Sequence, residues 1–121
     1  MPIKRILVVD DSPTERHNLN EILAKAGYQV TFAFNGEEGV AKARSEKPDL
    51  VVMDVVMPGL NGFQACRTIT QDPEIQHIPV ILCTTKNQET DKIWAMRQGA
   101  KAYVTKPVDG ADLLKKVSAL G

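Results

Sequence analysis

Apolar residues fall along this chain in two alternating rhythms. Short, nearly continuous runs occupy Ile6–Val9, Leu50–Met53, Val80–Cys83 and Ala102–Thr105, with a fifth, looser run at Gln29–Phe34. Runs of four to six residues rich in β-branched side chains suit strands covered on both faces. Between them apolar residues recur every three or four positions, as on amphipathic helices. The first such segment has a full start signal, with Ser12 as N-cap, Pro13 at the first helical position and Glu15 placed to close a capping box. Leu19, Ile22, Leu23 and Ala26 follow on one face, and Gly27 supplies the stop. A second helix is expected near Glu37–Ser45 with Val40 and Ala43 inward, ended by Pro48. A third spans about Gly62–Thr70 with Phe63, Cys66 and Ile69 inward, and Pro79 opens the fourth strand. A fourth runs from about Gln88 to Gln98 and stops at Gly99. The fifth starts at Asp109 and carries Leu113, Leu114, Val117 and Leu120 on one side.

Five alternations of strand and helix predict an α/β fold with a parallel sheet. Right-handed βα units give an open, doubly wound (βα)5 sheet. With strand order 2-1-3-4-5, ligands bind outside the strand carboxyl ends where the order reverses, between strands one and three. The reading assigns residues 1–121 to one domain and leaves none for an output domain.

Composition narrows the function classes. Lysine plus arginine equals aspartate plus glutamate at 15 each, so no basic excess invites nucleic acid or an anionic membrane. No apolar run approaches the roughly 18 residues of a membrane-spanning helix, and the start lacks a signal-peptide core. Cytoplasmic residence and a monomeric state are the expectations. Cys66 and Cys83 lie 17 positions apart with no metal-type spacing, and read as packed, reduced thiols. His17 and His77 are isolated and read as surface residues.

The informative feature is what ends each strand. The first runs into Asp10-Asp11, the third into Asp54, the fourth into Thr84 and the fifth into Lys106-Pro107. In a parallel sheet those ends share one edge. Three carboxylates brought together repel one another and raise their own pKa values unless a cation offsets them. Mg²⁺ takes oxygen ligands and keeps waters for phosphate. One aspartate can then act as nucleophile toward a phosphoryl group, with the metal, Lys106 and Thr84 spreading the developing charge. Alone, Asp-Asp after a strand is more often a turn or N-cap signal, and Lys-Pro says almost nothing. Their joint occurrence at matching ends carries the argument.

Across essentially its whole length the chain resembles the response-regulator receiver domains, of which CheY is the single-domain type, with a flavodoxin-like fold. The likeness lies in Val8-Val9-Asp10-Asp11-Ser12, in Met53-Asp54-Val55-Val56-Met57-Pro58-Gly59-Leu60-Asn61-Gly62, in Thr84 and in Tyr103-Val104-Thr105-Lys106-Pro107. The resemblance implies that Asp54 receives a phosphoryl group from a histidine kinase. It implies that Asp11, Asp54 and the Val56 carbonyl bind Mg²⁺ directly and Asp10 through water. Lys106 would contact the phosphoryl group, and Lys106-Pro107 would be cis. Thr84 and Tyr103 would form a switch pair, Tyr103 turning inward, with the change read by a downstream target on the face of helix four, strand five and helix five. Without the family, Tyr103 reads as a half-buried strand aromatic. Such a regulator catalyses only its own phosphorylation and dephosphorylation.

A narrower likeness covers Met57–Arg67, Thr84–Trp94, Arg97–Ala100 and Lys106–Asp109. These stretches are similar to PilH-type regulators of the chemotaxis-like system behind type IV pili and twitching motility, which implies a target related to the pilus motor. Trp94 sits near the expected output face, as partial core or as a partner contact. Val56 and Lys86, two positions beyond Asp54 and Thr84, offer no group to orient an attacking water, and Thr85 is bulky. Slow self-dephosphorylation is the expectation. A phosphate sink for the kinase, without an output target, is the alternative. A Mg²⁺-dependent phosphatase is disfavoured because Val56 stands where a general acid would be needed. A flavin carrier is disfavoured by the acidic Asp10-Asp11-Ser12-Pro13-Thr14 loop, and a DNA-binding regulator by neutral charge.

Overall fold

The structure of the chain, a computed structural model, describes residues 2–57, 59–85 and 89–121, with the side chains of 89–91 excepted. Pro58, Lys86 and the expected helix start at Gln88 lie outside them. Ten elements alternate: β1 (Arg5–Val9), α1 (Pro13–Lys25), β2 (Gln29–Ala33), α2 (Gly36–Glu46), β3 (Leu50–Asp54), α3 (Gly62–Gln71), β4 (Val80–Thr84), α4 (Glu89–Arg97), β5 (Ala102–Thr105) and α5 (Gly110–Leu120). All strand pairs are parallel and the order is β2-β1-β3-β4-β5.

The two-residue period of a strand divides the core. Leu7, Val9, Val51, Met53, Val80, Leu82 and Tyr103 pack with Val40 and Ala43 of α2, Ala65, Cys66 and Ile69 of α3, and Ala95 of α4. Ile6, Val8, Leu50, Val52, Ile81, Cys83 and Val104 pack with Leu19 and Leu23 of α1 and Leu113 and Val117 of α5. Three helices therefore cover one face and two the other. Each fully buried aliphatic side chain contributes roughly 1.5–3 kcal/mol of transfer free energy. Both thiols are buried and unpaired, as expected, and burial pushes each up to about 12, so they stay protonated.

Helix ends follow local chemistry. Ser12 caps α1 by accepting from the Glu15 N–H, Asn35 caps α2, Asn61 and Gln64 close a reciprocal box on α3, and Asp109 caps α5. Gly27, at φ 97°, leaves α1 in the left-handed region that glycine favours. Two expectations need correction. The Ser12 N–H donates to Asp10 Oδ1 at 2.9 Å, so Glu15 does not close a box there and its carboxylate faces Lys106 instead. β2 ends at Ala33, and Phe34 stands 51% exposed beside α1. Ile75 and Ile78, in the turns before β4, are buried although their spacing gave no element.

Candidate functional site

Asp10 follows β1 directly, and four bonds fix it. Its N–H donates to the Ala33 carbonyl (3.1 Å), and its own carbonyl accepts from Arg16 Nη1 (2.8 Å). Oδ1 accepts from the Ser12 N–H and Oδ2 from Lys106 Nζ (3.0 Å). Asp11 is exposed at the mouth, while Asp10 and Asp54 are buried. Asp54 ends β3, one strand over, with its Oδ1 3.2 Å from the Lys106 ammonium. Lys106 thus lies between two carboxylates, with Glu15 a third at 3.8 Å. The Lys106-Pro107 bond is cis, as expected.

Electrostatics follow from this placement. Burial pushes the Asp54 carboxyl above its ordinary value, and the Asp10 charge adds to the rise. The Lys106 ammonium and the Val56 N–H oppose it without cancelling it. For Lys106, burial alone would lower the pKa; the hydrogen bond to Asp10 and the charges of Asp10 and Asp54 outweigh it and hold the value up.

Asp10, Asp11 and Asp54 each offer a carboxylate oxygen within 4.8 Å of the others, the one such cluster of potential ligands among the described residues. One octahedral ion with bonds of about 2.1 Å holds neighbouring ligands about 3 Å apart. The set is therefore close to closing on a hard cation, and its all-oxygen chemistry fits Mg²⁺. Thr84, fully buried, ends β4 beside β3. On β5 Tyr103 pairs in register with Leu82, so Thr84 and Tyr103 share a sheet face one diagonal step apart. Tyr103 is already 9% exposed and packed in the α2–α4 core, more buried than a half-exposed strand aromatic. The Val56 side chain points to solvent, 57% exposed. Lys86 lies outside the described residues.

A profile described as the response regulator receiver domain matches residues 6–118. The chain belongs to this family. The receiver domain is 62% identical over 116 residues to Protein PilH of Pseudomonas aeruginosa, spanning 96% of each. To the Response regulator PleD of Caulobacter vibrioides it is 39% identical, over 96% of this chain and 26% of that protein. Chemotaxis protein CheY4 of Vibrio cholerae superposes with a TM-score of 0.90 at 29% identity, over 98% of this chain and 99% of that one. The receiver domain of a sensor histidine kinase from Pseudomonas aeruginosa PAO1, described with a magnesium ion coordinated in its active-site cleft, gives 0.89 at 27% identity over 97% and 96%. The receiver domain thus has the CheY-like, flavodoxin-type fold expected from its alternating runs.

The three carboxylates and Lys106, singled out in sequence because each follows or ends an apolar run, are brought together here, and Thr84 ends the neighbouring strand. Sequence reasoning missed Glu15, whose spacing from Ser12 reads as a cap, and Arg16, whose reach to the Asp10 carbonyl has no local signature. No helix among the described residues is long and apolar enough to cross a membrane.

Proposed function

We propose that this receiver domain accepts a phosphoryl group on Asp54 from a phosphohistidine of a partner kinase, in a Mg²⁺-dependent reaction. The observation that carries this is the pairing of Asp54 with Lys106 inside a three-carboxylate cluster at the β1/β3 switch point. A carboxylate oxygen of Asp54 attacks phosphorus while the histidine nitrogen leaves with the bonding pair. Asp54 is taken as the nucleophile because it matches the phosphoacceptor position of the receiver family and its carboxylate, at the end of β3, lies against Lys106. Asp11, Asp54, the Val56 carbonyl and, through water, Asp10 would hold the ion, which supplies positive charge to the phosphoryl oxygens. Lys106 would supply a second positive charge, and the Thr84 hydroxyl a hydrogen bond.

Thr84 and Tyr103 act as the switch, coupling the charge at Asp54 to the face of α4, β5 and α5 through their shared sheet face. A downstream protein reads that face. The likeness to PilH over nearly its whole length supports a stand-alone, cytoplasmic, monomeric regulator in a chemotaxis-like system controlling type IV pilus twitching, with a target related to the pilus motor. With Val56 directed to solvent and carrying no polar group, hydrolysis of the aspartyl phosphate is slow.

Intact-protein mass spectrometry after incubation with Mg²⁺ and acetyl phosphate tests this reading. One added phosphoryl group is expected, lost in Asp54→Asn and persisting for minutes in the parent. No added mass in the parent would refute the phosphoacceptor role.

A further inference from the structure

We propose that Arg16, braced by the Phe34 ring, is a positioning residue for the acidic site. This rests on the reading of Asp10, Asp11 and Asp54 as a divalent-cation site, and extends it to two residues outside the cluster.

The starting point is a planar group. The Asp10 carbonyl belongs to the peptide that joins Asp10 to Asp11, and its plane is rigid. Whatever holds that oxygen therefore orients both carboxylate-bearing residues as the chain leaves β1. Arg16 Nη1 donates to it at 2.8 Å. Arg16 lies near the start of α1, and a guanidinium on such a long side chain loses substantial rotamer freedom when held in one geometry. Here it is held. The guanidinium carbon sits 4.3 Å from the centroid of Phe34, within cation–π range.

Phe34 has no other evident reason to be where it is. It is 51% exposed and joins neither core cluster. It is nonetheless anchored from α2. Its N–H donates to Glu38 Oε1 at 3.2 Å, Lys42 pairs with that same carboxylate oxygen at 3.5 Å, and the Lys42 ammonium stands 6.0 Å from the ring centroid. Among the described residues Arg16 has no carboxylate partner, so ring and carbonyl are the contacts that define its place. The chain of contacts runs from α2 through Phe34 and Arg16 to the Asp10–Asp11 peptide. Residues that orient ligands in this way commonly govern metal affinity though they touch no metal.

Charge-conserving variants separate positioning from electrostatics. Phe34→Leu removes the brace and leaves the guanidinium; Arg16→Lys keeps the charge and loses the planar fork. Mg²⁺ titration calorimetry of the full chain should show each weakening binding by about two- to five-fold. The double variant should be no weaker than the weaker single variant, because the ring acts through the arginine. Phe34→Tyr, which keeps an aromatic face, should restore parental affinity. A fold-wide loss of packing would not give that non-additivity. Parental affinity in both single variants, additive losses in the double variant, or failure of Phe34→Tyr to restore binding would each overturn the positioning role alone. A parent protein that takes up no Mg²⁺ would overturn the cation-site reading and this role together.

Discussion

Asp54 sits under two opposed influences: burial, which disfavours its charge, and the Lys106 ammonium, which favours it. Burial wins, so the folded protein holds the Asp54 proton more tightly than the unfolded chain does. The linkage sign follows. Ionising Asp54 destabilises the fold as pH rises from the unfolded carboxylate value of about 3.9 through the folded value, and the penalty persists above it. Lys106 would still have Asp10 at 3.0 Å were the Asp54 charge removed. In the presence of a chelator, Asp54→Asn should therefore raise the denaturation midpoint at pH 7, and the gain should vanish near pH 3. An unchanged or lower midpoint at pH 7, measured by urea titration, would contradict this balance. A higher midpoint for the variant would mark Asp54 as a carboxylate the fold is more stable without, the pattern expected where a side chain is retained for chemistry.

Element by element, the strands and the caps at Ser12 and Asp109 were legible because they rest on local rules. Asn35 and Asn61 cap α2 and α3 by the same chemistry but were not singled out from the loops that hold them. What else escaped notice depends on distant partners. Asp49 looks like an ordinary turn residue, yet its carboxylate accepts from the Lys4 and Arg5 N–H groups, which holds its pKa down and ties the start of β1 to the entry of β3. Phe34 reads as the last residue of an apolar run, and only the approach of Arg16 from α1 gives it a different role. The β3–α3 loop shows how an element boundary serves the site. The Gly62 N–H donates to the Val55 carbonyl at 2.9 Å, and a Cβ at Gly62 would overlap the Asp54 carbonyl oxygen and the Val55 backbone. Gly62→Ala should cost about 1–3 kcal/mol of stability by denaturant titration, and should weaken Mg²⁺ binding because Asp54 must shift. Full stability in that variant would show that the loop yields more easily than its packing indicates.

For the whole molecule, parallel topology turns separate strand ends into one site. Asp10 and Asp54 lie 44 positions apart in sequence and on adjacent strands in space. The parallel α/β class was readable from five alternations and the right-handed crossover rule, while the strand order came with the likeness to known doubly wound folds; the second ring of contacts around Asp10 was not readable, since side-chain reach across helices leaves no periodic trace. A cation held by the folded cluster alone stabilises the entire domain by mass action, by about 2.7 kcal/mol at a hundredfold excess over its dissociation constant. Saturating Mg²⁺ should raise the melting temperature and a chelator reverse the rise, with Asp11→Ala blunting the response; a parent protein indifferent to Mg²⁺ would count against the cluster as a cation site. The most direct test of the central claim locates the phosphoryl group itself. Borohydride reduces an aspartyl phosphate to homoserine, which peptide mapping finds by mass. After treatment with acetyl phosphate, homoserine should occur at position 54 with Mg²⁺ present and be absent without it. Homoserine at position 10 or 11, or equal conversion of Asp54 in the absence of the metal, would contradict the account.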